Sequence, residues 1–283
     1  MALRAERNSC GRTTLALFTP REDALLINLI RRGAGKPLLM VHGLGGHWQS
    51  WNPILDRLSA TREVILFDLP GHGGSPAEPD SGTFNGLVTS VERMIAHEGL
   101  GAIDMVGSSM GGRIVLELAR RGGTGAVVAL DPGGFWDGWE RGFFKTTIAA
   151  SVKLLRALRG ILPRLSSSAV GRTALLAQLS ARPWALNGKE VADELDSYAA
   201  TPTFDALVRD LSEGPMQQGP AASGSGLVTI GWGRHDRLCL PRQAKRAMTA
   251  FPAATLHWFE HSGHFPHWEE PAATATLILS KTG

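Results

Sequence analysis

Ser109 is the residue most readily read as chemistry. It sits in Gly107-Ser108-Ser109-Met110-Gly111, a G-x-S-x-G pattern. The run before it, Ile103–Val106, is short, apolar and partly β-branched, which reads as a strand. The stretch after it, Arg113–Arg121, reads as a helix. A serine at such a junction occupies a sharp, strained turn with its oxygen exposed. Glycines two residues either side remove Cβ atoms that the turn has no room for. The same pentapeptide also occurs as an ordinary glycine-rich turn, so the rest of the chain decides. A serine hydroxyl is a weak nucleophile near neutral pH. It needs a base within hydrogen-bond reach, and the base needs a partner that fixes its tautomer.

The elements that must position these groups are legible as short apolar runs. Strands are predicted at Thr13–Phe18, Ala24–Ile30, Pro37–Val41, Val64–Phe67, Ile103–Val106, Ala126–Leu130, Leu227–Ile230 and Thr255–Phe259. Helices are predicted at Ser50–Ala60, Phe84–His97, Met110–Arg121, Pro241–Ala250 and Trp268–Ser280. From Pro37 onward strand and helix alternate. That order predicts a mostly parallel sheet with helices on both faces. The first two runs, joined by Thr19–Asp23, are expected to form an antiparallel hairpin at one edge. Between Gly133 and Gly226 the alternation stops, and helical patterns follow one another. This block reads as an inserted helical cap, closed by the turn-rich stretch Gly219–Gly226.

In open α/β sheets the site lies outside the carboxyl ends of the strands, so a base and an acid are sought just after the later strands. "GWGRHDRLCLP" offers Asp236, and "EHSGHFPHWEEP" offers His261, His264 and His267. The order serine, aspartate, histidine matches that of α/β-hydrolases. The chain resembles that superfamily over nearly its whole length, in its serine hydrolase branch with a helical cap. "LLMVHGLGGHWQSW" resembles the oxyanion loop and "VILFDLPGHGGS" the loop after the next strand. "GSSMGG" resembles the nucleophile elbow and "SGHFPHWEEP" the histidine loop.

The resemblance implies an α/β-hydrolase fold, with an eight-stranded, mostly parallel sheet. Residues 1–132 and 226–283 would form the core and 133–225 the cap. It implies Ser109 as nucleophile, His264 as base and Asp236 as acid. Asp131, directly after an earlier strand in "VVALDPGG", is the rival acid. Ser108 is expected beside the turn rather than at its apex. The backbone N–H groups of Met110 and Leu44 would hold the oxyanion. His42, His72 and Asp68 are expected to orient loops, and His261 and His267 to be a loop polar group and a helix-start residue.

Composition narrows the class. Of 283 residues, 43% are apolar and 19% charged, which suits a large core and not a disordered chain. The net charge of +3 does not by itself suggest nucleic acid. No run approaches the length of a membrane span, and Met1–Gly11 has no signal-peptide apolar run. A cytoplasmic protein is expected, with Cys10 and Cys239 as free thiols, since their spacing fits no metal or redox motif. The chemistry needs no cofactor, and no metal site is expected. Within the cap block, Phe144, Ile148, Val152, Leu155, Leu158 and Leu162 form one helical stripe. Seven Lys/Arg against two Asp/Glu give residues 133–172 a net +5. The stripe can bury on the core, roof a greasy pocket, or lie on a membrane surface; stable membrane association is not expected.

These residues together predict an esterase for a small apolar substrate. The alternative is hydrolysis of a carbon–carbon bond in a β-diketone-like ring-cleavage product, or a perhydrolase side activity. The reading from another class is a non-catalytic ligand-binding protein on the same fold. Oligomeric state is left open.

Overall fold

The computed structural model describes residues 4–7, 13–16 and 26–283. Strands β1 (Arg4–Arg7) and β2 (Thr13–Ala16) pair antiparallel as a sheet of their own. Among the described residues the main sheet has seven strands: β3 (Leu29–Arg32), β4 (Lys36–Val41), β5 (Arg62–Phe67), β6 (Asp104–Ser108), β7 (Val127–Leu130), β8 (Val228–Gly233) and β9 (Thr255–Phe259). Their spatial order is β3-β5-β4-β6-β7-β8-β9. β3 is antiparallel to β5, and every later pairing is parallel.

Two expectations change. The sheet has seven strands rather than eight, and the edge hairpin pairs β2 with β1, leaving β3 to pair with β5. A short link can join either antiparallel pair, so sequence proximity could not choose the partner. The remaining parts of the two expected runs, residues 17–18 and 24–25, lie outside the described residues, as does Cys10.

Alternate residues of the central strands face opposite layers. Leu39 and Val41 join one buried cluster with α2 (Phe84–His97) and α3 (Met110–Arg121). Leu38 and Met40 join another on the reverse face, packed by α1 (Asn52–Ser59) and the C-terminal helix. Burial on both faces explains why these strands read as continuous apolar runs. Between β7 and β8 come α4 (Trp139–Leu158), α5 (Leu162–Ser167), α6 (Ala169–Leu176), α7 (Gly188–Ala200) and α8 (Phe204–Glu213). After β8 comes α9 (Gln243–Ala250). The expected helix over 268–280 is instead α10 (Pro266–Glu269) and α11 (Pro271–Lys281). Pro271, which has no N–H to donate, opens the second of them.

β4 lies between β5 and β6, so the strand order reverses there. The crevice at such a point, outside the carboxyl ends, is where ligands bind in sheets of this type. The loops after β4 and β6 carry Leu44 and Ser109.

Candidate active site

Ser109 stands between β6 and α3 with φ 56° and ψ −114°, a strained backbone for a residue with a Cβ. The flanking glycines explain how the chain reaches it. A Cβ on Gly107 would lie 2.1 Å from the carbonyl oxygen of Gly111, and one on Gly111 would lie 2.1 Å from that of Val41. The turn therefore packs backbone on backbone. Ser108 ends β6, buried beside the turn. Met110 is the first residue of α3, where the N–H has no partner within the helix.

His264 and Asp236 meet across the ends of β9 and β8. The Nδ1–H of His264 donates to Asp236 Oδ2 at 2.7 Å, with both side chains buried. Asp236 Oδ1 accepts from the backbone N–H groups of Leu238 and Cys239 at 2.7 and 3.0 Å. The carboxylate is thus fixed in the loop and leaves His264 Nε2 as the free ring nitrogen. His264, Ser109 and Leu44 line one pocket. His261 is on the surface, its N–H donating to Glu270, and His267 is buried within α10.

Asp131, the rival acid, is buried at the end of β7 with φ 44°. Its Oδ1 accepts from Gly233 N at 2.8 Å. Burial, then the charge of Asp236 beside it, pushes its carboxyl well above the usual range. The two candidate acids are therefore neighbours, and only Asp236 bonds His264. Cys239 stands next to them, its donor atom within 4.8 Å of donor atoms of Asp236 and His264. Its thiol is pushed up by burial and by the two carboxylates.

The loop-orienting residues do what their types suggest. His42 Nδ1 donates to Gly43 O at 2.8 Å, and its Nε2 accepts from Leu69 N at 3.0 Å. Asp68 accepts from Trp48 N and Gly74 N, each at 2.7 Å. His72, neutral because burial and His42 push it down to about 3, bonds Pro70 O.

The pocket wall comes largely from the helical segment. Phe144, Ile148, Val152 and Leu155 of α4 line it, with Trp136 stacked on Phe144 at 4.6 Å. Leu158 is only partly buried and Leu162 is buried in α5. None of the paired bases here lines the pocket: Lys145 and Arg156 of α4 meet Glu213 and Asp205, and Arg159, just after α4, meets Asp196, at 2.5–2.8 Å.

The family model described as the alpha/beta hydrolase family matches residues 38–277. The chain belongs to that family. A dihydrolipoyllysine-residue acetyltransferase component of the acetoin cleaving system from Cupriavidus necator is 28% identical, over 92% of this chain and 67% of that one. A 2-hydroxy-6-oxo-6-phenylhexa-2,4-dienoate hydrolase from Burkholderia cepacia is 26% identical, over 94% and 96%. Among solved structures, a thermophilic esterase from Thermogutta terrifontis shares the fold. Its TM-score is 0.71 at 20% identity, with 90% and 92% of the two chains covered.

Two carboxylates of this alpha/beta hydrolase escaped the sequence reading. Glu269 accepts from Gly263 N, Ser180 Oγ, Ala181 N and Arg182 N at 2.7–2.9 Å. It ties the His264 loop to the helical segment. Glu194 of α7 is buried and reaches the loop after β4, where Ser50 Oγ donates to it at 2.6 Å. Neither has a sequence signature, because their partners lie 87–89 and 144 residues away, apart from the local Gly263.

Proposed function

We propose that the protein is a serine hydrolase that cleaves a carboxylic ester with an apolar acyl or alcohol part. The observation that carries this reading is one pocket shared by a positive-φ serine and a histidine bonded to a buried aspartate. Ser109 Oγ attacks the carbonyl carbon while His264 Nε2 takes its proton. Asp236 holds the imidazole in the tautomer with Nδ1 protonated and stabilises the imidazolium. The N–H groups of Met110 and Leu44 take the charge that develops on oxygen. His264 then protonates the leaving alcohol. Water, activated by the same imidazole, releases the acid and restores the serine.

The apolar lining from the cap, residues 133–225, supports an apolar substrate. Of its charged wall residues, Glu194 lies 3.3 Å from His47 Nε2, and Arg113 donates to Pro215 O at 2.6 Å and lies over the face of Phe84. The end-to-end likeness to the Burkholderia dienoate hydrolase favours a second reading, cleavage of a carbon–carbon bond next to a ketone.

A panel of p-nitrophenyl esters of rising chain length, run beside a ring-cleavage dienoate, separates the two. A fluorophosphonate probe followed by intact mass should add one adduct, absent in Ser109→Ala. An unlabelled, inactive wild type would point to the non-catalytic binding protein.

A further inference from the structure

The loop Gly43–Ser50, which carries the Leu44 N–H, is gripped from two sides. On the sheet side His42 holds Gly43 O and Asp68 holds Trp48 N. On the other side stands one face of α7, since Glu194, Ser197, Tyr198 and Thr201 recur at helical spacing. Ser197 Oγ donates to Gly45 O at 2.7 Å, with Thr201 Oγ1 at 3.4 Å from the same oxygen. Glu194 Oε2 takes the Ser50 hydroxyl at 2.6 Å and lies 3.3 Å from His47 Nε2. The fit is close. A Cβ on Gly45, whose φ is +74°, would come 2.6 Å from Phe204, and one on Gly46 would come 3.1 Å from Glu194 Oε1. The peptide between Leu44 and Gly46 therefore has little freedom while α7 is seated.

We propose that Glu194 is a positioning residue: paired with protonated His47, it holds the Gly43–Ser50 loop so that the Leu44 N–H faces the reacting oxygen, and the hold lapses in alkaline solution. This rests on the serine hydrolase reading above. The charged and titratable neighbours leave His47 as the switch. Burial alone would pull its imidazole down, but the hydrogen bond and charge of Glu194 outweigh this, helped by Gln49 and Asp68, and raise it to about 9. Burial would likewise raise Glu194, and His47 and Ser50 more than offset it, so the carboxylate stays charged. Tyr198, beside Glu194 on α7, is pushed well up by burial and that charge and stays un-ionised. His267 faces Glu194 from α10 but is neutral, pushed down to about 3 by burial. His42 is likewise pushed down by burial.

The sign follows. A histidine whose pKa is higher folded than unfolded lends its full stabilisation below the unfolded value, about 6.5. That stabilisation is lost as pH rises through the folded value of about 9. Above that, Glu194 is a buried charge without its cation, a costly state.

The test measures the rate of fluorophosphonate labelling from pH 7 to 10.5, corrected for probe hydrolysis, in wild type, Glu194→Gln and His47→Gln. Wild type should slow as pH rises through about 9. Both variants should lose that alkaline fall. Both should be slower at pH 7.5 by roughly tenfold or more, a fraction of the cost of losing an oxyanion donor outright. Binding of a non-reactive apolar ester analogue to His47→Gln should stay within about twofold, because His47 does not line the pocket. Variants labelled at the wild-type rate with the wild-type pH profile would overturn the proposal. If Glu194→Gln does not fold, His47→Gln decides alone. If wild type is not labelled at all, the hydrolase reading falls, and NMR titration of His47 still judges the ion pair. A midpoint near 9 that drops in Glu194→Gln supports it, and an ordinary midpoint in wild type refutes it.

Discussion

At the residue scale the sharpest contrast is between adjacent serines. Ser109→Ala should lower turnover by about 10³–10⁶, leaving only what binding and the oxyanion donors supply. Ser108→Ala should cost far less, since its side chain lies off the apex of the turn. Steady-state rates on one ester decide this, and a dead Ser108→Ala with an active Ser109→Ala would reverse the assignment. The acids make a second pair. Asp236→Asn should cut turnover by up to about 10⁴ through the wrong histidine tautomer while the fold survives. Asp131→Asn should be milder, because the neutral amide replaces a carboxyl that burial and Asp236 already push toward its protonated form. Their rates, measured with circular dichroism to verify folding, would move the acid to β7 if the ranking reversed. Ser109, Asp236 and His264 were legible because each follows a readable strand within a motif. Glu194 and Glu269 were not, because their partners come together only when helices from another part of the chain pack over the sheet.

At the element scale α4 and the loops it covers carry the prediction. The stripe Phe144–Leu155 lines the pocket and also belongs to buried clusters. Ile148→Ala should therefore shift preference toward longer acyl chains, with discrimination changing by about 1–3 kcal/mol per methylene. The same change should cost stability on the order of 2–5 kcal/mol. An ester panel and thermal melts on one variant read both, and an unchanged chain-length profile would leave the stripe with an anchoring role alone. Glu269→Ala should destabilise by about 1–3 kcal/mol for each donor left without an acceptor. Because those donors join the His264 loop to residues 180–182, its melting temperature and its turnover should fall together.

At the scale of the whole molecule the basic stretch 133–172 loses much of its apparent meaning. Lys145 and Arg156 find acids on α8, and Arg159 finds one on α7. Exposed pairs of this kind add little stability, yet they cancel the field that would draw the segment to an anionic surface. Among the described residues no helix is long and apolar enough to cross a membrane. Wild type should therefore not co-sediment with anionic vesicles at physiological salt. Salt-sensitive binding, abolished by charge reversal at Lys145, Lys153 and Arg156, would overturn this.

The sequence by itself determined the alternation of strands and helices, the family and the three residues most suited to acyl chemistry. Each of those is written in a local period or a short motif, where neighbours in the chain are neighbours in space. The tertiary structure decided what depends on distant partners. β1 rather than β3 took β2, and α7 came to rest on the loop after β4. Asp131 and Asp236 were brought side by side, with only one of them bonded to His264. The α4 stripe was turned toward the pocket. Such choices are made by packing between segments tens to more than a hundred residues apart, and no local pattern records them.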